Sequence, residues 1–248
     1  MFNIIKKIFL LILTVICIMS VWAISAADTN NASDVVADAG TFADLAKDIS
    51  AGGNISLTRD YIQTDSHGQI AITKNTIING NGHTIDAQAK SRIFNIANGV
   101  TVSLKNITFI NGSTTTHGGA IYNQGDLTVD NCQFKNTTAQ YGGAIYSLYS
   151  NVNVVDSIFK DITAGNVGGV ICSFDGSVNV VGSTFTDTTA TNMGGVISSW
   201  SIDGRISVIN STFINATSKS GGAISIGSGS SLAVIGCTLI NKTANNGG

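Results

Sequence analysis

The 248-residue sequence contains no proline and carries little charge. Asp, Glu, Lys and Arg make up 11% of it, less than half of the share of about 25% usual in globular proteins. The net charge of −2 provides no basic surface, which argues against nucleic acid as a partner. Disordered chains combine high charge with few β-branched residues, whereas Val, Ile and Thr are plentiful here, so we expect an ordered chain.

Cysteines are few and far apart. Cys17 lies in an N-terminal apolar stretch, which leaves Cys132, Cys172 and Cys237 for the rest of the chain. Because the sequence has no CxxC pair, we expect neither a zinc site nor a redox site. An odd number of separated cysteines also argues against a disulfide-stapled domain. The sequence therefore predicts no cofactor.

The N-terminus has the composition of a targeting segment. Lys6 and Lys7 precede an apolar run over residues 8–24, and the small residues SAAD follow it. This order predicts a secretory signal peptide over residues 1–27, cleaved after about Ala26 or Ala27. The alternative is an uncleaved membrane anchor, since the run approaches the ~18 residues of a membrane span. In both cases we expect a secreted or cell-surface protein with no further insertion into the membrane.

Pairs of adjacent glycines recur at a nearly constant interval. The pairs are 24, 26, 26, 27 and 26 residues apart, and they open at Gly118, Gly142, Gly168, Gly194, Gly221 and Gly247. A second series runs in step, each member followed two positions later by Asn or Asp: Phe109, Phe134, Phe159, Phe185, Phe213 and Leu239. A fixed period of about 20–50 residues is typical of stacked repeat architectures.

Apolar residues alternate with polar ones within each repeat. Leu127 and Val129 in one unit, and Val152 and Val154 in the next, show the period of two that indicates strands. Three short strands and three turns in about 25 residues make one coil of a parallel β-helix. We therefore predict an all-β parallel β-helix solenoid, in which equivalent residues of successive coils stack on one another and Phe134 and its equivalents point inward.

A short amphipathic segment precedes the coils. The stretch TFADLAKDIS predicts a helix that is capped by Thr41 and that places Phe42, Leu45 and Ile49 on one face. Because an exposed strand edge invites aggregation, we interpret residues 40–62 as an N-terminal cap on the first coil.

The predicted organisation has three parts. They are a signal peptide (1–27), a polar leader (28–39) and a β-helix domain (40–248) with regular Gly-Gly coils over 118–248. The chain stops at NNGG, the opening of a further coil, so we expect a C-terminally truncated fragment. An open last coil also predicts end-to-end self-association.

The repeats resemble a known group of surface proteins. The GGAI and F-x-N units are similar to those of adhesin-like and polymorphic outer-membrane proteins, although the latter space Phe and Asn three residues apart rather than two. The block TFADLAKDISAGGNISLTRDY with ITKNTIINGNGHTIDA resembles the start of right-handed β-helix domains in archaeal adhesin-like proteins, of the pectate-lyase-like superfold. The likeness covers residues 40–248 and implies a right-handed coil, secretion and a role at the cell surface.

Aromatic residues are the candidate binding groups. Tyr122 and Tyr146 follow inward-facing isoleucines, so alternation places them outward and one coil apart, with Tyr149 and Trp200 in adjoining loops. Exposed aromatics stack on sugar rings or anchor protein partners, so these four residues are the predicted binding site. The alternative is a tyrosine ladder that only stabilises the sheet. Of the N-x-S/T sequons, Asn31 in the leader is the candidate glycosylation site.

Acidic residues form one candidate pair. Asp161 and Asp187 occupy the same repeat position in successive coils, where two carboxylates about 5 Å apart are able to bind calcium or to act as an acid. Asn occupies the other four positions of this column, so we favour a turn role for the two aspartates and predict no metal site and no catalytic residue.

These features predict an adhesin-like protein without catalytic activity, whose β-helix face binds carbohydrate or a surface protein of another cell. One alternative is a polysaccharide lyase or hydrolase of the pectate-lyase-like kind, which requires a charged cluster on one face. Another is a passive stalk that carries a binding domain elsewhere.

Overall fold

The computed structural model describes residues 38–201 and 203–247, which contain one helix, α1 (Phe42–Ile49), and 25 strands. The predicted signal peptide, Asn31 and all of the predicted leader except Asp38 and Ala39 lie outside the described residues. In the described part, no helix has the length and apolar character that crossing a membrane requires.

The strands form a right-handed, all-parallel β-solenoid of about 7 turns with about 26 residues per turn. Strands account for 52% of the structure, and the predicted fold class is confirmed. Each complete coil adds one strand to each of three sheets, which we name A, B and C.

The three sheets contain ten, eight and seven strands in the described ranges. Sheet A consists of β1 (Gly40–Thr41), β3 (Tyr61–Ile62), β6 (Thr84–Asp86), β9 (Thr108–Ile110), β12 (Gln133–Lys135), β13 (Thr138–Tyr141), β16 (Ile158–Val167), β19 (Thr184–Ala190), β22 (Thr212–Thr217) and β25 (Thr238–Ile240). Sheet B consists of β2 (Gly53–Ser56), β5 (Thr76–Asn79), β8 (Thr101–Lys105), β11 (Asp126–Asp130), β15 (Val152–Val155), β18 (Val178–Val181), β21 (Arg205–Ile209) and β24 (Ser231–Ile235). Sheet C consists of β4 (Ile70–Ile72), β7 (Phe94–Ile96), β10 (Ile121–Asn123), β14 (Ile145–Leu148), β17 (Ile171–Phe174), β20 (Ile197–Trp200) and β23 (Ile224–Ile226).

Stacked phenylalanines run through the core along sheet A. The ring of Phe159 lies between those of Phe134 and Phe185, with centroid distances of 4.7 and 5.0 Å and nearly parallel planes. All three side chains are buried. Sheet B contributes Leu and Val to the same core, and sheet C contributes Ile. The predicted inward phenylalanine column is therefore confirmed.

A ladder of Asn and Asp forms the turn after the phenylalanines. Its members adopt left-handed backbone angles, with φ of 54° at Asn136 and 56° at Asn111, which Asn and Asp tolerate better than other non-glycine residues. The Asn136 Nδ2 donates to the Asn111 Oδ1 one coil earlier at 2.7 Å. The amide ladder therefore satisfies the turn side chains and links successive coils.

Helix α1 covers the N-terminal opening of the core. Thr41 and Asp44 form the predicted capping box, and Phe42, Leu45 and Ile49 are buried. The rest of the segment predicted as a cap contributes strands, because β2 pairs with β5 and β3 pairs with β6.

The last strand of sheet B exposes its apolar side chains. Leu232 and Val234 pair with the buried Ile206 and Val208, yet each is 42% exposed. The reason is position, since β24 is the outermost strand of sheet B and pairs only with β21. Association of copies through this end stays a prediction.

The phenylalanine column provides a stability test. We expect Phe159→Ala to lower the free energy of unfolding by about 3–5 kcal/mol, because a fully buried ring with stacked neighbours on both sides is removed. The neighbouring Ile158→Ala is the control, and it should change stability by no more than about 0.5 kcal/mol because Ile158 is 46% exposed. Urea denaturation measures both, and equal effects of the two substitutions would contradict the assigned strand faces.

Candidate binding groove

Two tyrosines of sheet C stack on the outer surface of the solenoid. Tyr122 and Tyr146 are direct partners in β10 and β14, and their ring centroids lie 5.6 Å apart with an interplanar angle of 8°. Both side chains are half-buried. The prediction that they face outward one coil apart is confirmed. The two rings also stack on each other, as the alternative of a tyrosine ladder that stabilises the sheet requires.

The same outward column becomes buried further along the sheet. Cys172 pairs with Tyr146, and Ser198 pairs with Cys172. Alternation predicts that both face outward, yet they are only 4% and 0% exposed. Both side chains are small, so the backbone of the glycine corner covers them: a Cβ on Gly168 would lie only 2.8 Å from the Cβ of Cys172. The larger Tyr146 ring stays half-exposed beside the equivalent corner at Gly142.

The Gly-Gly pairs make the chain fold back over sheet C. The first glycine of each pair has a positive φ, 62° at Gly142, which L-residues with a side chain rarely adopt. A Cβ on Gly142 would also lie 2.1 Å from the carbonyl oxygen of Ile145. Two glycines therefore allow the sharp corner that brings the residue before each pair beside the outer face of sheet C.

The residues before the glycine pairs form a second outer column. Parallel bridges connect its members, which are His117, Tyr141, Val167, Met193, Ser220 and Asn246. We call this column the wall. The sequence analysis did not predict this column. It could have been found from the residue directly before each glycine pair, which occupies a fixed position in every coil but differs in type from coil to coil.

A groove of about 570 Å³ lies between this wall and sheet C. The floor consists of Tyr146, Cys172, Phe174 and Trp200. The opposite side consists of His117, Tyr141, Asn166, Val167 and Met193. None of these side chains is an acid, a lysine or an arginine, so the groove is aromatic, sulfur-containing and amide-containing.

Trp200 lies in the groove, as the last residue of β20 rather than in a loop as predicted. It pairs with Phe174, the last residue of β17, which sequence interpretation missed. These side chains are 45% and 39% exposed, respectively. The strand extends to Trp200 because the register of sheet C continues through this position.

Tyr149 lies beside the groove rather than in its lining. It follows β14 with a φ of 53° and is 67% exposed. Its ring contacts Phe174 edge to face at a centroid distance of 5.8 Å. Two of the four predicted aromatics, Tyr146 and Trp200, line the groove, and the other two contact lining residues: Tyr149 contacts Phe174, and Tyr122 stacks on Tyr146.

An aromatic cluster closes the end of the groove nearest the N-terminus. The ring of His117 lies 4.4 Å from that of Tyr146 and 5.1 Å from that of Tyr141, measured between centroids. Burial, with a smaller contribution from the Arg92 charge, lowers the pKa of His117. The imidazole therefore stays neutral at neutral pH.

The other titratable groups of the floor are also neutral. Burial raises the pKa of Tyr146 to about 12 and that of Cys172 to about 12. A thiol that stays protonated is a poor nucleophile.

The acidic pair lies away from the groove. Asp161 and Asp187 are exposed and lie within β16 and β19, at a bend where the backbone is left-handed, with φ of 56° and 54°. The Asp187 Oδ1 accepts from the Asn215 Nδ2 at 2.7 Å, as an asparagine at this position would. The favoured interpretation of the two aspartates as turn-ladder residues agrees with this geometry. In the described ranges, no group of three or more His, Cys, Asp and Glu residues is arranged to hold a metal ion.

Comparison with known proteins adds no relative. No family model, no curated protein and no solved structure matches the chain. The class of protein is the one that its own fold defines, a right-handed parallel β-solenoid with an aromatic groove along one edge of a sheet.

The pKa of His117 gives a pH test. Because the folded-state pKa is below the usual value of about 6.5, the unfolded chain binds a proton that the folded chain excludes as the pH falls below 6.5. The contribution of His117 to stability is therefore complete above that pH and is lost as the pH falls through the folded-state pKa.

The free energy of unfolding should decrease between pH 7.5 and pH 5, and we expect this decrease to be smaller in His117→Asn than in the wild-type chain. Urea denaturation at both pH values measures it, with exposed His67→Asn as the matched histidine substitution outside the groove. An unchanged pH dependence in His117→Asn would show that the imidazole is not buried against the tyrosines as described.

Proposed function

We propose that this protein is an adhesin-like protein, secreted or displayed at the cell surface, that binds carbohydrate through the aromatic groove without catalysing a reaction. The observation that carries the proposal is the row of Tyr146, Phe174 and Trp200 along a groove with no charged side chain. Aromatic rings held on a rigid scaffold present flat apolar faces, and the apolar faces of sugar rings fit such surfaces.

The size of the groove supports a small or slender ligand. Its volume of about 570 Å³ is within the range of about 300–1,000 Å³ of ligand pockets, which are mainly apolar with a few polar groups. A protein partner usually covers about 800 Å² on each side, for which a narrow concave groove is less suited than for an oligosaccharide chain. We therefore favour carbohydrate over a surface protein of another cell.

Polar groups at the rim favour a ligand that forms hydrogen bonds. The Asn166 Nδ2 donates to the Tyr141 Oη at 3.0 Å, and the Asn192 Nδ2 donates to the Asn166 Oδ1 at 2.6 Å. This amide chain fixes Asn166 and leaves the Tyr141 hydroxyl hydrogen available to a ligand. Sugars require this combination of ring faces and directed polar groups.

The neutral chemistry of the groove favours binding over catalysis. Its thiol and its Tyr146 phenol both stay protonated at neutral pH, and the aspartates proposed as an alternative acidic pair lie in exposed turns. The lyase or hydrolase and the passive stalk are the alternatives that the following two experiments address.

Binding should depend on the groove aromatics. Trp200→Ala combined with Tyr146→Ala should reduce binding to an array of immobilised neutral and acidic oligosaccharides at least tenfold, about 1.4 kcal/mol, because two apolar ring faces of the groove are removed. Ile158→Ala is the matched control, since it truncates an exposed apolar residue of sheet A. Retention of binding by the double variant would exclude the groove, and a lack of binding by the wild-type chain would favour the stalk.

An enzyme assay addresses the second alternative. We expect no increase in reducing ends or in unsaturated uronate absorbance when the purified chain is incubated with polygalacturonate, with or without calcium. Cleavage that is lost in Asp161→Asn would overturn the non-catalytic proposal and would assign the acidic column a catalytic role.

A further inference from the structure

A basic hollow adjoins the groove at Arg92. The Arg92 Nε lies 2.9 Å from the carbonyl oxygens of both His117 and Gly118, and one Nη1 hydrogen is donated to the Gln69 side chain. These bonds hold the guanidinium in a fixed plane, with its Cζ 5.2 Å from the centroid of the Tyr122 ring. The Nη2 donates to the His117 carbonyl oxygen and lies 3.5 Å from the Thr116 Oγ1. Of the five N–H groups of the guanidinium, these bonds leave the second Nη1 hydrogen available to a ligand.

Within the described residues, the positive charge of Arg92 has no acidic partner. Ion pairs join Arg59 to Asp44 and Lys105 to Asp130, and His83 contacts Asp60, but Arg92 belongs to none of these contacts. Its side chain is half-buried, and burial lowers its pKa. Buried charges are normally paired, so a half-buried arginine held only by neutral oxygens is a candidate for binding an anion supplied by a ligand.

Lys90 supplies a second cation at the same hollow. Its Nζ donates to the Gln63 carbonyl oxygen at 2.8 Å, and it too is outside the ion pairs of the described ranges. Lys90 and Arg92 line a hollow of about 410 Å³, whose other lining residues include Gln69, Ser91 and Ser113 and are all uncharged. The hollow therefore combines two positive charges with hydroxyl and amide groups.

The hollow and the groove are adjacent. Tyr122 lies under Arg92 and stacks on Tyr146 of the groove floor, and His117 contacts both tyrosines. The strand that follows Arg92 is β7, and the strand that ends at Trp200 is β20. Four strand-to-strand steps separate them in sheet C. At about 4.8 Å per strand this is about 19 Å, long enough for a short oligosaccharide.

We propose that the hollow is the anion subsite of the groove and that the ligand is an acidic oligosaccharide. A carboxylate or a sulfate ester of one sugar binds Arg92 and Lys90, and the sugars that follow lie along Tyr146 and Trp200. This inference rests on the proposed function, and it names the class of carbohydrate that the groove selects.

Titration calorimetry of the full chain tests the proposal with three probes. They are a hyaluronan tetrasaccharide, which carries carboxylates, a keratan sulfate tetrasaccharide, which carries sulfate esters, and neutral chitotetraose. We expect at least one acidic probe to bind tenfold or more tightly than chitotetraose, with an advantage that decreases as salt is raised. The two acidic probes distinguish a carboxylate from a sulfate ester as the bound group.

Substitutions locate the preference. Lys90→Gln should reduce the affinity for the preferred acidic probe threefold or more and leave that for chitotetraose unchanged, whereas Arg92→Gln should abolish the preference. Arg92 also holds the backbone at His117 and Gly118, so Lys90→Gln is the decisive variant if Arg92→Gln does not fold. Lys135→Gln, at an exposed lysine of sheet A, is the matched control.

The outcomes separate this inference from the proposed function. Equal affinity for neutral and acidic probes, or no effect of Lys90→Gln, would overturn the anion subsite, while loss of binding in Trp200→Ala would still support the groove. Acidic binding that depends on Lys90 but not on Trp200 would overturn the joint site and the proposed function together. A lack of binding by all three probes would count against both.

Discussion

The in-register stacking of parallel coils is the constraint on which the rest of this structure depends. Each residue meets its equivalent one coil away, at the strand spacing of about 4.8 Å, so in the core and in the turn ladder each side chain packs against or hydrogen-bonds to its equivalent. Phe134 on Phe159 and Asn136 on Asn111 are examples.

The groove is a consequence of the same constraint. A glycine pair at a fixed position in each coil produces the same corner, and the residue before each pair therefore enters one outer column beside sheet C. Where that column carries His117, the imidazole contacts Tyr122 and Tyr146, and Tyr141 of the next coil stacks on His117, so an aromatic surface results. Because the corner itself depends on glycine, the wall residues are free to vary in chemistry. The proposed binding surface thus lies on a scaffold that the repeat keeps constant.

The sequence allowed the coil, the inward Phe column, the capping box and the stacked tyrosines to be predicted, because each follows from a short-range pattern repeated in register. It did not reveal that Cys172 and Ser198 are covered, or that His117, Phe174 and Met193 join the tyrosines. Those contacts depend on how sharply the chain turns at Gly168 and Gly194 and on how far β17 and β20 extend. Alternation gives the face of a strand but not what lies over that face. The pairing of Arg92 with neutral oxygens across a coil was likewise not visible in the sequence.

A crystal structure of the chain with a bound acidic tetrasaccharide is the most direct test of the central claim that groove and hollow form one carbohydrate site. We expect sugar rings over Tyr146 and Trp200, with an anionic group within hydrogen-bond distance of Arg92. A saccharide bound along another face of the solenoid, with the groove and the hollow both empty, would contradict it.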